Sequence, residues 1–356
     1  MMLNENIDAT ASEFTGSQFI CTANHGFASY AQEELRRTFG SVKSRVLEQG
    51  EVFLATLPVV REEAVRRLVD ENPVFLRHWF PLDVQISFDE LDSADEAVSA
   101  VVDFASGNSM LDASRIVIQA RKASSSGWKG TALELKERLE ERINITGAQF
   151  VVKDADWTLS VYAAGGFLYA GISKPEANLS DWNGGAVRFQ REEGQISRAK
   201  FKLLEAERTF GIDFTSFHSA LDIGAAPGGW TSFLLERGLK VTAVDPANMH
   251  PSLLNHPDLT YLKRNADSVK FRDNQFDLLV CDMSWSPKLT VKLVTELLYS
   301  LVPGGTAVVT IKLLSKKPLA LIREVIQLYE DANMQIQRAK QLFHNRDEIT
   351  LYMIKY

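Results

Sequence analysis

Apolar and polar positions change over in short blocks along the first half of the chain. Residues 18–23 and 50–55 are apolar runs of strand length, whereas residues 30–39, opening near Ser29, and residues 61–69 repeat apolar side chains at helical spacing. An apolar, aromatic stretch over 74–84 leads into strand-like residues. Helices are predicted over 95–104 and 131–143, the latter with Leu133, Leu135 and Leu139 on one side. A strand is predicted over 115–121. Residues 157–163 and 167–172 read as a hairpin turned at Gly165 and Gly166. The stretch 174–195, rich in Pro, Asn, Ser, Asp and Gly, reads as a linker.

Beyond it the rhythm changes. Short apolar runs at 220–223, 241–244, 278–281 and 307–311 alternate with helical stretches at 230–237, 291–301 and 319–331, and a further strand is expected at Leu262. That alternation predicts a parallel, doubly wound sheet with helices on both faces. Residues 335–342 and 348–354, joined by a polar turn at 344–347, read as an antiparallel finish. The closer alternation of the N-terminal residues predicts an α+β layer of ferredoxin-like type over 17–83. No internal repeat is visible.

A chain of 356 residues divides most naturally into two or three units, and 45% hydrophobic with 24% charged residues excludes a disordered or fibrous protein. No apolar run approaches the roughly 20 residues that span a bilayer, and residues 1–11 lack the basic start and apolar middle of a signal peptide. A cytoplasmic protein with no membrane partner is expected, with a monomer as the default. Cys21 and Cys281 are too few for a disulfide framework, and the six histidines show no pair at metal-ligand spacing, so no metal is expected.

The net charge of −7 argues at first against nucleic acid. The distribution reverses this. Residues 1–100 carry 8 basic and 17 acidic side chains, so the rest of the chain has a positive surplus. Residues 115–130 hold Arg115, Arg121, Lys122 and Lys129 with no acid, and a second basic excess runs over 186–210.

Candidate chemistry begins at the first strand of the doubly wound sheet. Asp222, Gly224, Ala225, Pro227, Gly228, Gly229 and Trp230 occupy a strand-to-helix turn, where glycines let backbone N–H groups approach a ligand at the sheet edge. The spacing G-x-x-x-G-G is neither the dinucleotide fingerprint nor a P-loop. Asp245, at the end of the next strand, is placed to accept two hydrogen bonds from a ribose diol. A ribose-bearing ligand without a pyrophosphate is implied, and S-adenosylmethionine fits that description.

Four polar residues stand at special positions: Lys202 just before the sheet, Asp282 after the fourth strand, Lys312 closing the fifth and Glu348 opening the last. Carboxyl ends of neighbouring parallel strands share one crevice, so Asp282 and Lys312 should approach each other and the cofactor there, with Asp282 also a cofactor-binding residue. A ribose hydroxyl needs its proton removed or shared before it attacks, and lysine suits that task because its pKa responds to its surroundings.

The glycine turn, in the form D-x-G-x-x-x-G-G, resembles the first motif of class I methyltransferases. That resemblance puts Asp222 near the methionine ammonium of S-adenosylmethionine, and Asp267 near its adenine amino group. The set Lys202, Asp282, Lys312 and Glu348, carried by the runs S-R-A-K-F-K-L, V-C-D-M and Q-L-F-H-N-R-D-E-I-T, resembles the Lys-Asp-Lys-Glu tetrad of the FtsJ-like ribose 2′-O-methyltransferases. The resemblance covers 197–356 and implies a Rossmann-like methyltransferase domain acting on RNA, with large-subunit ribosomal RNA as substrate. Lys312 is assigned to activate the hydroxyl and Asp282 to orient it, while Lys202 and Glu348 position the ribose; either lysine can in principle serve as the base.

Residues 84–175 resemble a THUMP domain, an RNA-binding module, which leaves 176–196 as the linker. Arg121, Lys122 and Lys129 are expected to neutralise phosphates, Trp128 to stack on an unpaired base, and Arg198 to add an RNA contact beside the tetrad. Two other functions remain open: methylation of a base or small molecule, and RNA binding without catalysis. Cys281, the residue a base C5-methyltransferase would need as nucleophile, falls inside a buried strand, and no [D/N]-P-P-[Y/F] run follows it.

Overall fold

The computed structural model describes residues 16–91, 93–191, 193–315 and 317–356. The reading of residues 1–11 as lacking a leader lies outside them. The chain forms two compact units, one from residues 16–71 and His78–Gly184, the other from Asn72–Arg77 and Gly185–Tyr356.

The first unit opens with β1 (Ser17–Thr22), α1 (Ala28–Phe39), β2 (Lys43–Glu48), β3 (Val52–Leu57), α2 (Arg61–Glu71) and β4 (His78–Pro81). The sheet runs β2-β3-β1-β4 with every neighbouring pair antiparallel. The edge strand β2 escaped the sequence reading because Lys43, Ser44, Arg45 and Val46 are all exposed, so no apolar face marks it.

A second sheet follows in the same unit, from β5 (Val84–Ser87), α3 (Ala94–Ser106), β6 (Arg115–Ser126), α4 (Ala132–Arg142), β7 (Gln149–Phe150), β8 (Trp157–Gly165) and β9 (Phe167–Ser173), in the order β5-β9-β8-β6-β7. Helix α4 starts where Thr131 and Glu134 close a reciprocal capping box, Thr131 Oγ1 accepting from the Glu134 N–H and the Glu134 carboxylate from the Thr131 N–H. Its Leu135 and Leu139 are fully buried beside Ile116, Ile118, Leu159 and Val161.

The expected linker needs correction. Residues 176–184 are bound into the first unit: Trp79 Nε1 donates to the Ala177 carbonyl, Gln119 Nε2 to the Asp181 carbonyl, and Asn183 Nδ2 to the Ala120 carbonyl. Asn178 is buried and its Oδ1 accepts from Ser173. Turn-forming composition here reflects irregular backbone held by side chains, not free chain. Residues 72–77 in turn belong to the second unit, where Lys340 Nζ donates to the carbonyls of Pro73 (2.9 Å) and Leu76 (3.1 Å).

The second unit contains α5 (Lys200–Phe210), β10 (Ser219–Ile223), α6 (Gly229–Glu236), β11 (Lys240–Val244), β12 (Leu259–Leu262), β13 (Phe276–Cys281), α7 (Pro287–Leu297), β14 (Leu301–Lys312), α8 (Pro318–Asp331), β15 (Met334–Lys340) and β16 (Glu348–Lys355). The strand order is β12-β11-β10-β13-β14-β16-β15. The first five are parallel, and β16 runs antiparallel between β14 and β15. Strands covered on both faces read as continuous apolar runs, and β10 and β13 are almost wholly buried. Leu301, expected to end a helix, instead opens β14, because α7 starts earlier, at Pro287, whose missing N–H costs nothing at that position. Among the described residues no helix is long and apolar enough to cross a membrane.

Candidate active site

Strand order brings the four tetrad positions to one edge of the second unit. Asp282 follows β13 and Lys312 ends β14, its parallel neighbour. Glu348 opens β16 and is the register partner of Lys312. Lys202 comes from the first turn of α5. Its Nζ donates to both Asp282 carboxylate oxygens at 2.9 Å and lies 2.5 Å from Glu348 Oε1. Lys312 Nζ donates to the other oxygen of Glu348, Oε2. Two amines and two carboxylates thus form one chain, Asp282 to Lys202 to Glu348 to Lys312.

Glu348 is 1% exposed. Burial would raise its pKa, but the ammoniums of Lys202 and Lys312 outweigh this and hold it below the usual glutamate value. At Lys202, burial would lower the pKa; the facing carboxylates of Asp282 and Glu348 outweigh it and leave the ammonium above the ordinary lysine value. Lys202 is therefore a fixed cation. A cavity of about 370 Å³ opens on the cluster, lined by Arg198, Lys202, Lys312, His344, Arg346 and Glu348.

The turn after β10 packs closely against the chain's own side chains. Gly224 (φ +74°) sits where a Cβ would lie 2.5 Å from Met283 Cγ. Gly228 (φ +112°) would place a Cβ 2.4 Å from Leu253 Cδ1, and Gly229 one 2.2 Å from Ser197 Oγ. The Ala226–Pro227 bond is cis, and the Ala225 N–H bonds back to Val244. Asp222 is buried, with Oδ2 accepting from Thr231 Oγ1 at 2.6 Å and Oδ1 without a partner among the described residues. Burial, opposed by the Thr231 hydroxyl and reinforced by the charges of Asp282 and Asp245, pushes its pKa up to about 7. A buried carboxyl oxygen with nothing to accept from calls for a donor from outside the chain.

Asp245 accepts from the Ala226 and Ala247 N–H groups, at 3.1 and 2.7 Å. Two sequence expectations are not brought into this group. Trp230 is buried and its Nε1 donates to the Ala199 carbonyl at 2.9 Å, so its indole serves packing of α6 against the start of α5 and is corrected from ligand contact to core. Asp267 is exposed and lines a separate recess of about 430 Å³ with Phe271, Leu293 and Tyr299. Cys281 is fully buried, and burial, with the charges of Asp282 and Asp222, pushes its thiol well up, which disqualifies it as a nucleophile. Among the described residues no cluster could hold a metal ion.

Sequence reasoning missed two supports. Thr310 Oγ1 donates to Asp282 Oδ1 at 2.7 Å. Glu205, 2% exposed, accepts from the N–H groups of Phe343 and His344 and pairs with His344 Nδ1 at 2.8 Å. An acid three residues after Lys202, one helical turn along the same face, was the available signal for Glu205.

The basic loop of the first unit departs from expectation. Trp128 is 3% exposed, its Nε1 donates to the Thr131 carbonyl, and the Arg138 guanidinium lies over its ring, 5.3 Å from the centroid. It is a core residue and cannot stack on a base. Lys122 Nζ donates to the carbonyls of Trp128 and Gly130, which ties the loop closed. Arg121 donates to Thr22 Oγ1 and lies over the Tyr162 ring, and its burial lowers its pKa. Only Lys129 of this group is exposed. Charges that looked solvated in sequence are consumed by carbonyls and rings inside the unit.

Residues 195–345 match the family of FtsJ-like methyltransferases. The chain is similar to proteins named ribosomal RNA large subunit methyltransferase M. It is 33% identical to that of Halorhodospira halophila over 189 residues, covering 52% of this chain and 53% of the relative. The protein of Psychromonas ingrahamii is 35% identical over 52% of this chain and 53% of its own. That of Azoarcus sp. is 28% identical over 79% of both. The chain thus spans about half the length of the first two relatives.

Proposed function

We propose that this chain, which carries an FtsJ-like methyltransferase domain over residues 195–345, transfers a methyl group from S-adenosylmethionine to a ribose 2′-hydroxyl of RNA, with large-subunit ribosomal RNA as the substrate class. The observation that carries the reading is the chain of Asp282, Lys202, Glu348 and Lys312 at the mouth of one cavity. The name shared by its relatives supports the ribosomal substrate.

The residues present fit the cofactor. Asp222 Oδ1, without a partner among the described residues, suits its ammonium, and Asp245 can accept from its ribose hydroxyls. When bound, it supplies an electrophilic sulfonium methyl. The chain's own part is to hold and deprotonate the acceptor. Lys202, fixed as a cation between two carboxylates, holds Asp282 rigid. Lys312, bonded to one carboxylate only, gives one ammonium proton to solvent and, as the neutral amine, takes the hydroxyl proton on Nζ, while Asp282 orients the hydroxyl.

In the first unit, the βαββαβ order with β3 between β1 and β2 supports a ferredoxin-like reading of residues 17–83, and the sheet built on β6, β8 and β9 supports a THUMP-like reading of 84–175. We assign RNA contact there to Lys129. A cytoplasmic location follows from a ribosomal RNA substrate. Mapping of ribose methylation across ribosomal RNA, with and without the gene, tests the function: one alkali-resistant linkage should vanish, whereas loss of a base methylation instead would refute it.

A further inference from the structure

The tetrad is internally neutral: two ammoniums face two carboxylates. The positive surplus of the cavity is therefore carried by the two exposed arginines that line it, Arg198 and Arg346, neither of which forms an ion pair among the described residues. They come from different elements. Arg198 precedes α5, where its carbonyl accepts from the Phe201 N–H and the neighbouring Ala199 carbonyl is held by Trp230. Arg346 stands in the loop between β15 and β16, which is unusually well tied. Glu205 accepts from two successive N–H groups of that loop, Gln341 Nε2 donates to the Arg346 carbonyl, and the buried Asn345 Oδ1 accepts from Leu342 N–H and Thr350 Oγ1. Both guanidiniums thus project from fixed backbone.

An internal RNA nucleotide carries one phosphodiester on each side of its ribose, each with one negative charge. Guanidinium matches phosphate in charge and in its forked geometry. We propose that Arg198 and Arg346 form a two-point phosphate clamp, one on each phosphodiester flanking the target ribose, so that the site takes an internal nucleotide of a single-stranded stretch rather than a chain terminus or a free nucleoside. The proposal rests on the ribose-methylation reading and adds the substrate's charge pattern to it. Glu205 acts as a positioning residue, through the loop that carries Arg346.

The test uses the full-length protein and synthetic RNA oligonucleotides centred on the ribose located by mapping, with the linkage on its 5′ side, its 3′ side or neither replaced by uncharged methylphosphonate. R198Q and R346Q should each raise KM about tenfold, as expected for one charge-assisted contact, with the loss in KM rather than kcat. Each should also flatten the slope of log(kcat/KM) against log salt by about 0.7, the value for one single-strand phosphate. One variant should become insensitive to the 5′ replacement and the other to the 3′ replacement, and R198K or R346K should restore part of the loss. The clamp is overturned if both variants stay as sensitive as wild type to both replacements, or if the salt slope does not move. Binding titrations of such oligonucleotides, centred on whichever nucleotide carries the new methyl group, on ribose or on base, read the clamp without catalysis, so a protein that methylates a base would fail the ribose reading while still reporting on the arginines.

Discussion

Lys312 and Glu348 face each other in the same register position of the antiparallel pair β14 and β16, and the Lys312 ammonium donates to Glu348 Oε2. The other oxygen of Glu348 lies 2.5 Å from Lys202 Nζ. One buried carboxylate therefore spaces two amines. The amines are not equivalent, because Lys202 also holds both oxygens of Asp282 and is kept protonated by two negative charges. In the proposed reaction that asymmetry separates a structural lysine from one that moves a proton.

If Lys312 moves that proton, its role arises in the transition state and not in holding the cofactor. Lys312→Ala should reduce methylation by a factor of at least about 10³ while S-adenosylmethionine affinity, measured by calorimetry, stays within a few fold. Equal losses of methylation and of cofactor affinity would show that the lysine merely maintains the site.

Asp222 gives a pH dependence with a definite sign. Its pKa is pushed up to about 7, from an ordinary value of 3.8, mainly by burial. The folded protein thus holds a proton that the unfolded chain gives up near pH 4, so this contribution to stability is present below about pH 4 and is lost as the pH rises through 7. D222N should stabilise the cofactor-free protein at pH 8 by at most about 4 kcal/mol, seen as a higher melting temperature, and change it little at pH 4. The same variant should weaken S-adenosylmethionine binding, and wild-type affinity should fall as the pH drops below 7. A melting-temperature difference that does not vary with pH would remove Asp222 from this role.

The order of strands β10 to β16 and the four tetrad positions were legible because buried parallel strands are continuous apolar runs and polar residues at their ends stand out. Asp282 and Lys312 could be paired from topology alone. What was hidden follows from how polar groups are satisfied. Nothing in the run Arg121-Lys122 tells that one cation will lie on a tyrosine ring and the other will bond two carbonyls, and the Ser/Gly setting of Trp128 resembles an exposed loop equally well. Trp230 sits inside a ligand motif yet points its N–H at Ala199. Thr310 was invisible because a threonine within a β-run reads as an ordinary strand residue.

Trp128 should accordingly matter for stability and not for RNA. Trp128→Ala removes a nearly fully buried indole, its bond to the Thr131 carbonyl and its contact with Arg138. A loss of about 3 to 5 kcal/mol is expected in denaturant unfolding of the first unit. RNA affinity measured where the variant remains folded should be unchanged. A variant of wild-type stability that has lost RNA affinity would put the indole back on the surface.

Thr310 offers a finer test of the tetrad, because among the four its side chain hydrogen-bonds only Asp282. It is 1% exposed and donates to Asp282 Oδ1 at 2.7 Å, from the strand adjacent to the one that delivers the aspartate. Thr310→Val keeps the shape and leaves that oxygen with the Lys202 ammonium as its sole donor among the described residues. A hydrogen bond to a charged group is worth about 1.5 to 3 kcal/mol, so if the carboxylate must be held rigid to orient the hydroxyl, kcat should fall about tenfold or more with KM nearly constant. Thr310→Ser retains the hydroxyl and should recover most of the rate despite losing a methyl group from the core. If serine and valine variants lose the same activity, the packing of Thr310 matters and its hydroxyl does not, and Asp282 needs no second donor to do its work.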